Sequence, residues 1–155
     1  MALCADGHLL ASSGDDGIIR LWDNWAGQPR ALLRGHSSVV RNVALSADGE
    51  LVASGGLDAV LRVWETRTAR LLATMQDGGA IHALTLSADG HLLISGVSDG
   101  MVRMWEATTG TLLRTLQAER RYEGLDVTGL TGITNAQRTA MLALGAIELS
   151  PPPAM

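Results

Sequence analysis

The chain has 155 residues, of which 46% are hydrophobic, 18% are charged and 18 are glycine, a composition typical of a globular, turn-rich protein rather than a disordered one. Its formal net charge of -4 argues against nucleic acid as a partner, because binding phosphates requires basic patches. All twelve basic residues are arginine, so the chain contains neither a P-loop lysine nor a Schiff-base lysine.

Three landmarks recur at nearly constant spacing in the first 117 residues. Ala-Asp-Gly turns begin at positions 5, 47 and 88, which gives spacings of 42 and 41 residues. One tryptophan and one aspartate recur at the same spacings: Trp22, Trp64 and Trp105, and Asp16, Asp58 and Asp99. Three landmarks in one register indicate internal repeats, each of them a supersecondary unit that stacks on the next.

Each repeat contains four short hydrophobic segments separated by turn residues. In the second repeat they lie at 39–45, 51–54, 60–64 and 70–75, and a hairpin-type Asp-Gly turn separates the first two. Four short antiparallel strands in about 40 residues make one blade of a β-propeller. The predicted fold is therefore all-β, a partial β-propeller of about three four-stranded antiparallel blades. We place an incomplete first blade at 1–33, the second at 34–75 and the third at 76–117.

A family resemblance follows from these residues. The stretch GHSSVVRNVALSADGELVASGGLDAVLRVWE (35–65) resembles a WD-repeat, with Gly35-His36 at the front and Trp64-Glu65 at the family's Trp-Asp position. Trp22-Asp23 keeps the family dipeptide unchanged. The resemblance covers residues 1 to about 117 and implies a non-catalytic scaffold that binds protein partners and needs no cofactor.

The resemblance also implies a buried hydrogen-bond network in each blade, running from Trp through Ser and His to Asp. Its implied members are His36, Ser54, Asp58 and Trp64 in the second blade, Ser12, Asp16 and Trp22 in the first, and Ser95, Asp99 and Trp105 in the third. The first blade's histidine would precede Met1, and the third blade has QDGG (76–79) at the Gly-His site. We therefore expect a complete network, and the greatest rigidity, in the second blade.

Ser54, His36 and Asp58 also suggest a hydrolase, in which Asp orients His and His activates Ser. The chain has no G-x-S-x-G elbow, and the serine recurs once per repeat, which is typical of an architectural residue. We therefore expect no enzyme activity and keep a hydrolase as the alternative. No group of His, Cys and carboxylate residues has metal-ligand spacing, so no metal site is predicted. His8 and His91 follow Asp-Gly turns and are expected to be exposed hairpin residues.

Partner contacts are placed by the same resemblance. They are implied on the narrow face of the propeller, beside the aspartate turns and at the starts of the first strands, at Asp15, Arg41, Leu57, His82 and Ser98. The alternative is that these are ordinary solvent-exposed loop residues. Loops that vary on a repeating scaffold are where binding usually resides.

Residues 118–155 leave the repeat. A helix is predicted at about 135–144, with Thr134 as N-cap, Gln137 completing a capping box and Gly145 as C-cap. Its apolar side would consist of Ile133, Met141, Leu142 and Leu144. Arg120, Arg121 and Tyr122 form either a contact patch or a solvated strand end.

This tail resembles the closing segment after the last repeat of some large bacterial WD-repeat proteins. Several of those carry an NTPase signalling module upstream, which would make this chain the sensor end of a larger protein. The first repeat begins inside a strand, which suggests the C-terminal portion of a longer propeller, an open fragment or a non-functional truncated gene product. Unpaired blade edges predict self-association.

Three further features bear on location. Cys4 is the single cysteine, so no internal disulfide can form, and a reducing compartment is expected. The N-terminus lacks the basic start and long apolar core of a signal peptide. No apolar run approaches the roughly 20 residues of a membrane span. We expect a cytoplasmic location without a membrane partner.

Overall fold

The computed structural model describes residues 1–117, 126, 134–143 and 146–147. The chain divides into two compact units, Met1–Gln117 and Ala118–Met155. The first unit consists of three sheets, each with four antiparallel strands in sequential order. This arrangement confirms the predicted fold class.

The strands follow the repeat. The first sheet contains β1 (Ala2–Leu3), β2 (Leu9–Ser13), β3 (Ile19–Asp23) and β4 (Gln28–Leu33). The second contains β5 (Val40–Leu45), β6 (Leu51–Gly56), β7 (Val60–Glu65) and β8 (Arg70–Gln76). The third contains β9 (Ile81–Leu86), β10 (Leu92–Val97), β11 (Met101–Glu106) and β12 (Leu112–Gln117).

The second sheet is buried on both faces because the other two sheets pack against it. Successive residues of a strand point to opposite faces. Val52 accordingly joins the hydrophobic core shared with the first sheet, and Ala53 joins the core shared with the third. Trp64 likewise joins the core shared with the first sheet, and Val63 joins the core shared with the third. This two-sided burial explains why the strand sequences are nearly continuous in hydrophobic residues.

The tryptophans differ in burial for the same reason. Trp64 packs toward the first sheet and Trp105 toward the second, and they are 5% and 6% exposed. Trp22 is half-buried rather than buried. By the repeat register it lies on the face of the first sheet that points away from the second, where the described residues place no other sheet.

The recurring Ala-Asp-Gly turns join neighbouring sheets. The N–H of Ala5 donates to the carbonyl of Ala47 at 3.0 Å, and the N–H of Ala47 donates to that of Ala88 at 3.1 Å. Within the second turn, Ser46 Oγ donates to Asp48 Oδ1 at 2.6 Å and accepts from the N–H of Leu51 at 3.0 Å. The repeated tetrapeptide is therefore a closed turn whose backbone links each blade to the next.

Two alanines of the second sheet take backbone conformations that the other sheets give to glycine. Ala59 has φ 60° and Ala69 has φ 59°. The equivalent residues are Gly17, Gly100, Gly27 and Gly110, all with φ between 64° and 81°. The left-handed conformation costs an L residue about 1–2 kcal/mol, which glycine avoids. The packing of the second sheet thus holds two locally unfavourable residues in place.

The second unit contains helix α1 (Asn135–Ala143), the short helix that the sequence predicts. The N–H of Gln137 donates to Thr134 Oγ1 at 3.2 Å, and the N–H of Thr134 donates to Gln137 Oε1 at 2.8 Å, which is a capping box. No helix within the described ranges is long and apolar enough to span a membrane. Six residues named in the prediction lie outside the described residues: Arg120, Arg121, Tyr122, Ile133, Leu144 and Gly145.

Close approach between the second and third sheets at Gly55 gives a stability prediction. A Cβ at Gly55 would lie 2.8 Å from Ile81 Cγ2, whereas a Cβ at the equivalent Gly96 would meet Ala83 Cβ at 3.4 Å. Gly55→Ala should lower the free energy of unfolding by about 1–3 kcal/mol, as overpacking does. The matched control Gly96→Ala should change it by less than about 0.5 kcal/mol. Urea unfolding measures both, and equal effects would contradict the packing described.

Candidate interaction surface and the network beneath it

A chain of hydrogen bonds crosses the second sheet. Trp64 Nε1–H on β7 donates to Ser54 Oγ on β6 at 3.3 Å. Ser54 Oγ lies 2.8 Å from His36 Nε2, and His36 Nδ1 lies 2.9 Å from Asp58 Oδ2 in the β6–β7 turn. The His36 side chain is fully buried and that of Asp58 is 4% exposed. The structure thus brings together all four residues that the sequence implied.

The protonation state of His36 in this hydrogen-bond network follows from its burial. Burial lowers the pKa of His36 and outweighs the opposing pull of the Asp58 carboxylate. A neutral imidazole accepts at one nitrogen and donates from the other. Because the Asp58 carboxylate can only accept, Nδ1–H donates to Asp58 and Ser54 O–H donates to Nε2. Each polar group of the chain then has a partner, as buried polar groups require.

Asp58 also holds the backbone around it. It accepts from the N–H of Ser37 at 3.1 Å and from that of Val60 at 3.4 Å. Burial alone would raise the pKa of Asp58, but its contacts with His36 and the Ser37 N–H hold the pKa below its ordinary value. The carboxylate therefore joins the β6–β7 turn to the loop that precedes β5.

An arginine completes each site and was missed in the sequence analysis. Arg62 Nη1 lies 3.4 Å from Asp58 Oδ2. Arg20 pairs with Asp16 at 2.5 Å and Arg103 pairs with Asp99 at 2.7 Å. An Arg-x-Trp motif recurs with the tryptophans at the same spacings, so the repeat itself carried a signal that could have identified these arginines.

The first sheet has a shorter network. Trp22 Nε1–H donates to Ser12 Oγ at 2.9 Å. Asp16 is exposed, accepts from the N–H of Ile18 at 3.1 Å and pairs with Arg20, which lowers its pKa. The structure places Asp16 as part of the turn rather than of a buried chain.

The third sheet replaces the histidine with a carboxylate. Asp77 lies 41 residues after His36 in the sequence, is 1% exposed and accepts from Arg103 Nη1 at 2.9 Å. Its Oδ2 has no hydrogen-bond partner among the described residues. Burial raises the pKa of Asp77 and outweighs the lowering effects of the nearby Ser95 hydroxyl, which forms no hydrogen bond to Oδ2, and of Arg103. QDGG lacks the Gly-His pair of the second repeat, but the register of the repeat places Asp77 at the histidine position.

The same sheet keeps the tryptophan bond. Trp105 Nε1–H donates to Ser95 Oγ at 3.1 Å. Asp99 accepts from the N–H of Met101 at 2.8 Å and pairs with Arg103, which lowers its pKa. Of the three sheets, the second is therefore the one with the full Trp-Ser-His-Asp chain.

The hydrolase alternative fits the distances between these side chains but not their burial. Ser54, His36 and Asp58 lie within the hydrogen-bond distances of a catalytic triad. Ser54 is fully buried, however, and its hydroxyl oxygen also accepts from Trp64. A nucleophile at this depth cannot reach a substrate carbonyl, so the geometry supports a structural role.

The five candidate contact residues lie at one end of the three sheets. Asp15, Leu57 and Ser98 are in the β2–β3, β6–β7 and β10–β11 turns, and Arg41 and His82 lie near the starts of β5 and β9. All five are exposed. The N–H of Val40 donates to the carbonyl of Gly14 at 3.3 Å, so the start of β5 adjoins the turn of the first sheet. We call this surface the loop end; the Ala-Asp-Gly turns lie at the opposite end.

A second group of side chains converges at the Ala-Asp-Gly end. Cys4, Asp6 and His8 are the described His, Cys and carboxylate residues whose donor atoms lie within 4.8 Å of one another. This group was not predicted from the sequence, because Cys4, Asp6 and His8 do not have the spacing of the common zinc motifs. His8 is half-buried rather than exposed as predicted, while His91 is exposed.

Comparisons with known proteins agree with this geometry. The family model described as "WD domain, G-beta repeat" matches residues 1–23 and 27–65. The model described as "Anaphase-promoting complex subunit 4 WD40 domain" matches residues 59–135, so that the two together span most of the chain. The chain belongs to the WD-repeat family. The family resemblance seen in the sequence is thereby confirmed.

The solved structure of the RRP9 WD40 repeats is similar to this WD-repeat chain. The two share 26% sequence identity and superpose with a TM-score of 0.71. The match covers 76% of this chain and 38% of that one. No curated protein is similar enough to match. The similarity supports a partial propeller with the general role of WD repeats, a scaffold for protein interactions.

The position of Asp77 at the histidine site of the repeat gives a second stability prediction. Asp77→His should place an imidazole between Ser95 and Asp99 and remove the unpartnered carboxylate oxygen. Because an unsatisfied buried acceptor costs about 1–3 kcal/mol, the free energy of unfolding at pH 7 should rise by about 1 kcal/mol. The control Asp77→Asn removes the charge, but its side chain is shorter than an imidazole and should not span Ser95 and Asp99, so it should stabilise less. Urea unfolding that ranks Asp77→His at or below Asp77→Asn would contradict the alignment.

Proposed function

We propose that this chain is a non-catalytic scaffold whose protein partner binds the loop end, at Asp15, Arg41, Leu57, His82 and Ser98. The observation that carries the proposal is that the buried hydrogen-bond network of the second sheet lies directly beneath that surface. Leu57 precedes Asp58 in the sequence, and its N–H donates to the carbonyl of Val39 at 3.0 Å. The exposed turn is thereby held by bonds on both sides, which lowers the ordering cost of binding.

The loop end combines an invariant frame with varied side chains. The turns keep aspartate at 16, 58 and 99, while the preceding residue is Asp15, Leu57 or Ser98. The strand positions beside them carry Arg41 and His82. A carboxylate, an apolar side chain, a hydroxyl, a guanidinium and an imidazole on a rigid frame suit recognition of a protein surface of mixed character.

We also propose a larger context, cytoplasmic and bacterial. The likeness of residues 118–155 to the closing segment of large bacterial WD-repeat proteins supports a role as the sensor end of a signalling NTPase. That context rests on sequence resemblance, and the loop-end proposal stands without it.

Site-specific photocross-linking tests the loop end in cells that express the full chain. A benzophenone side chain at Leu57 or Arg41 should capture the same partner protein. The same group at Glu50, an exposed residue on the Ala-Asp-Gly turn of the same sheet, should not capture it.

A second step separates function from misfolding. Arg41→Glu should weaken the affinity of the captured partner about tenfold or more while the circular dichroism spectrum stays unchanged, because the side chain is exposed. Equal capture from Glu50, or an adduct with the mass of two copies of this chain, would overturn the assignment.

A further inference from the structure

The residue directly before the Ala-Asp-Gly turn distinguishes the first sheet from the other two. Cys4 occupies the position of Ser46 and Ser87. The N–H of Leu9 donates to Cys4 Sγ at 3.1 Å, as the N–H of Leu51 donates to Ser46 Oγ at 3.0 Å. The fold therefore places a sulfur where the equivalent turns place a hydroxyl, with the same backbone donor aimed at it.

Two further ligand types meet this sulfur. Cys4 Sγ lies 3.0 Å from Asp6 Oδ1 and 3.4 Å from His8 Nδ1, and His8 Nδ1 lies 2.5 Å from Asp6 Oδ1. Cys4 is 4% exposed, whereas the side chains of His8 and Asp6 are 28% and 60% exposed. The cluster is thus closed on the sulfur side and open to solvent on the carboxylate side.

We propose that Cys4, Asp6 and His8 bind one zinc ion through Sγ, a carboxylate oxygen and Nδ1, with water as the fourth ligand. Thiolate, imidazole and carboxylate together are the donor types zinc takes, whereas calcium and magnesium take oxygen donors. On binding, the Cys4 thiol gives up its proton to solvent and the thiolate sulfur forms the bond to the metal.

The distances suit a four-coordinate ion after a small adjustment. Zinc bonds of about 2.0–2.3 Å at tetrahedral angles separate the ligand atoms by roughly 3.3–3.7 Å. The sulfur–nitrogen separation already has this value. The carboxylate must move outward by less than about 1 Å, and Asp6 is the exposed member of the three.

Two neighbours hold the imidazole in place. A Cβ at Gly49 of the second sheet would lie 3.2 Å from His8 Cε1, so the next turn packs directly on the ring. The Trp25 ring is the other neighbour, with ring centroids 5.9 Å apart and the ring planes tilted by 53°. A ligand held by its surroundings loses little freedom on binding the metal.

The other turns provide internal controls within the same chain. The third turn has Ser87, Asp89 and His91, which repeats the carboxylate and the imidazole but not the sulfur. The second has Ser46, Asp48 and Glu50. Cys4→Ser therefore gives the first turn the Ser-Ala-Asp-Gly tetrapeptide that the chain already folds twice, and the same five residues as the third turn.

The experiment titrates the full chain with Co²⁺ and then displaces it with Zn²⁺. One equivalent of Co²⁺ should give a thiolate-to-metal absorption band in the near ultraviolet, and one equivalent of Zn²⁺ should abolish it. Cys4→Ser should remove the band and weaken Zn²⁺ binding by about 100-fold or more, since even residues that only orient ligands change affinity by 10–100-fold. His91→Ala should bind like the unmodified chain.

A histidine variant keeps the test decisive if Cys4→Ser alters the fold. His8→Gln should retain the thiolate band while weakening Zn²⁺ binding by at least about tenfold. Absence of the band in the unmodified chain, or Zn²⁺ affinity unaffected by either substitution, would overturn the proposal. Binding lost equally in His91→Ala would overturn it as well, because the site would then lie elsewhere.

Discussion

One hydrogen bond recurs in every sheet: a tryptophan indole N–H on the third strand donates to a serine hydroxyl on the second, at 2.9 to 3.3 Å. A one-residue slip between these strands would turn the tryptophan to the opposite face of the sheet. In the second and third sheets that ring packs toward the preceding sheet. The bond therefore couples strand register to packing between sheets, and the rest of the unit depends on both.

In the second sheet the same serine extends the bond to His36 and Asp58. The result is a buried path from the inter-sheet core to the loops at the exposed end. Because every group along the path has a partner, it holds the loops without the cost of unsatisfied polar atoms. Two alanines in left-handed conformations are tolerated in this sheet, where the equivalents in the other sheets are glycines.

Periodic features of the sequence predicted much of this arrangement. The recurring turn, tryptophan and aspartate predicted a partial propeller of about three four-stranded blades, and the Thr134–Gln137 capping box predicted the helix, since all of these depend on local spacing. The repeat register locates Asp77 at the histidine position, but its role was not predicted because that role depends on Arg103, 26 residues away in the sequence. The sequence did not predict the proximity of the donor atoms of Cys4, Asp6 and His8, because only the closed turn brings them together. Half-burial of Trp22 depends on which sheets pack beside it, which spacing alone does not show.

Amide hydrogen exchange of the full chain and of Ser54→Ala tests the central bond most directly. Removing the hydroxyl leaves the Trp64 indole N–H and the His36 imidazole without their shared partner. The account predicts faster exchange throughout β5, β6 and β7, with little change in α1. Unchanged protection across those three strands would show that packing alone holds the sheet and would contradict the account.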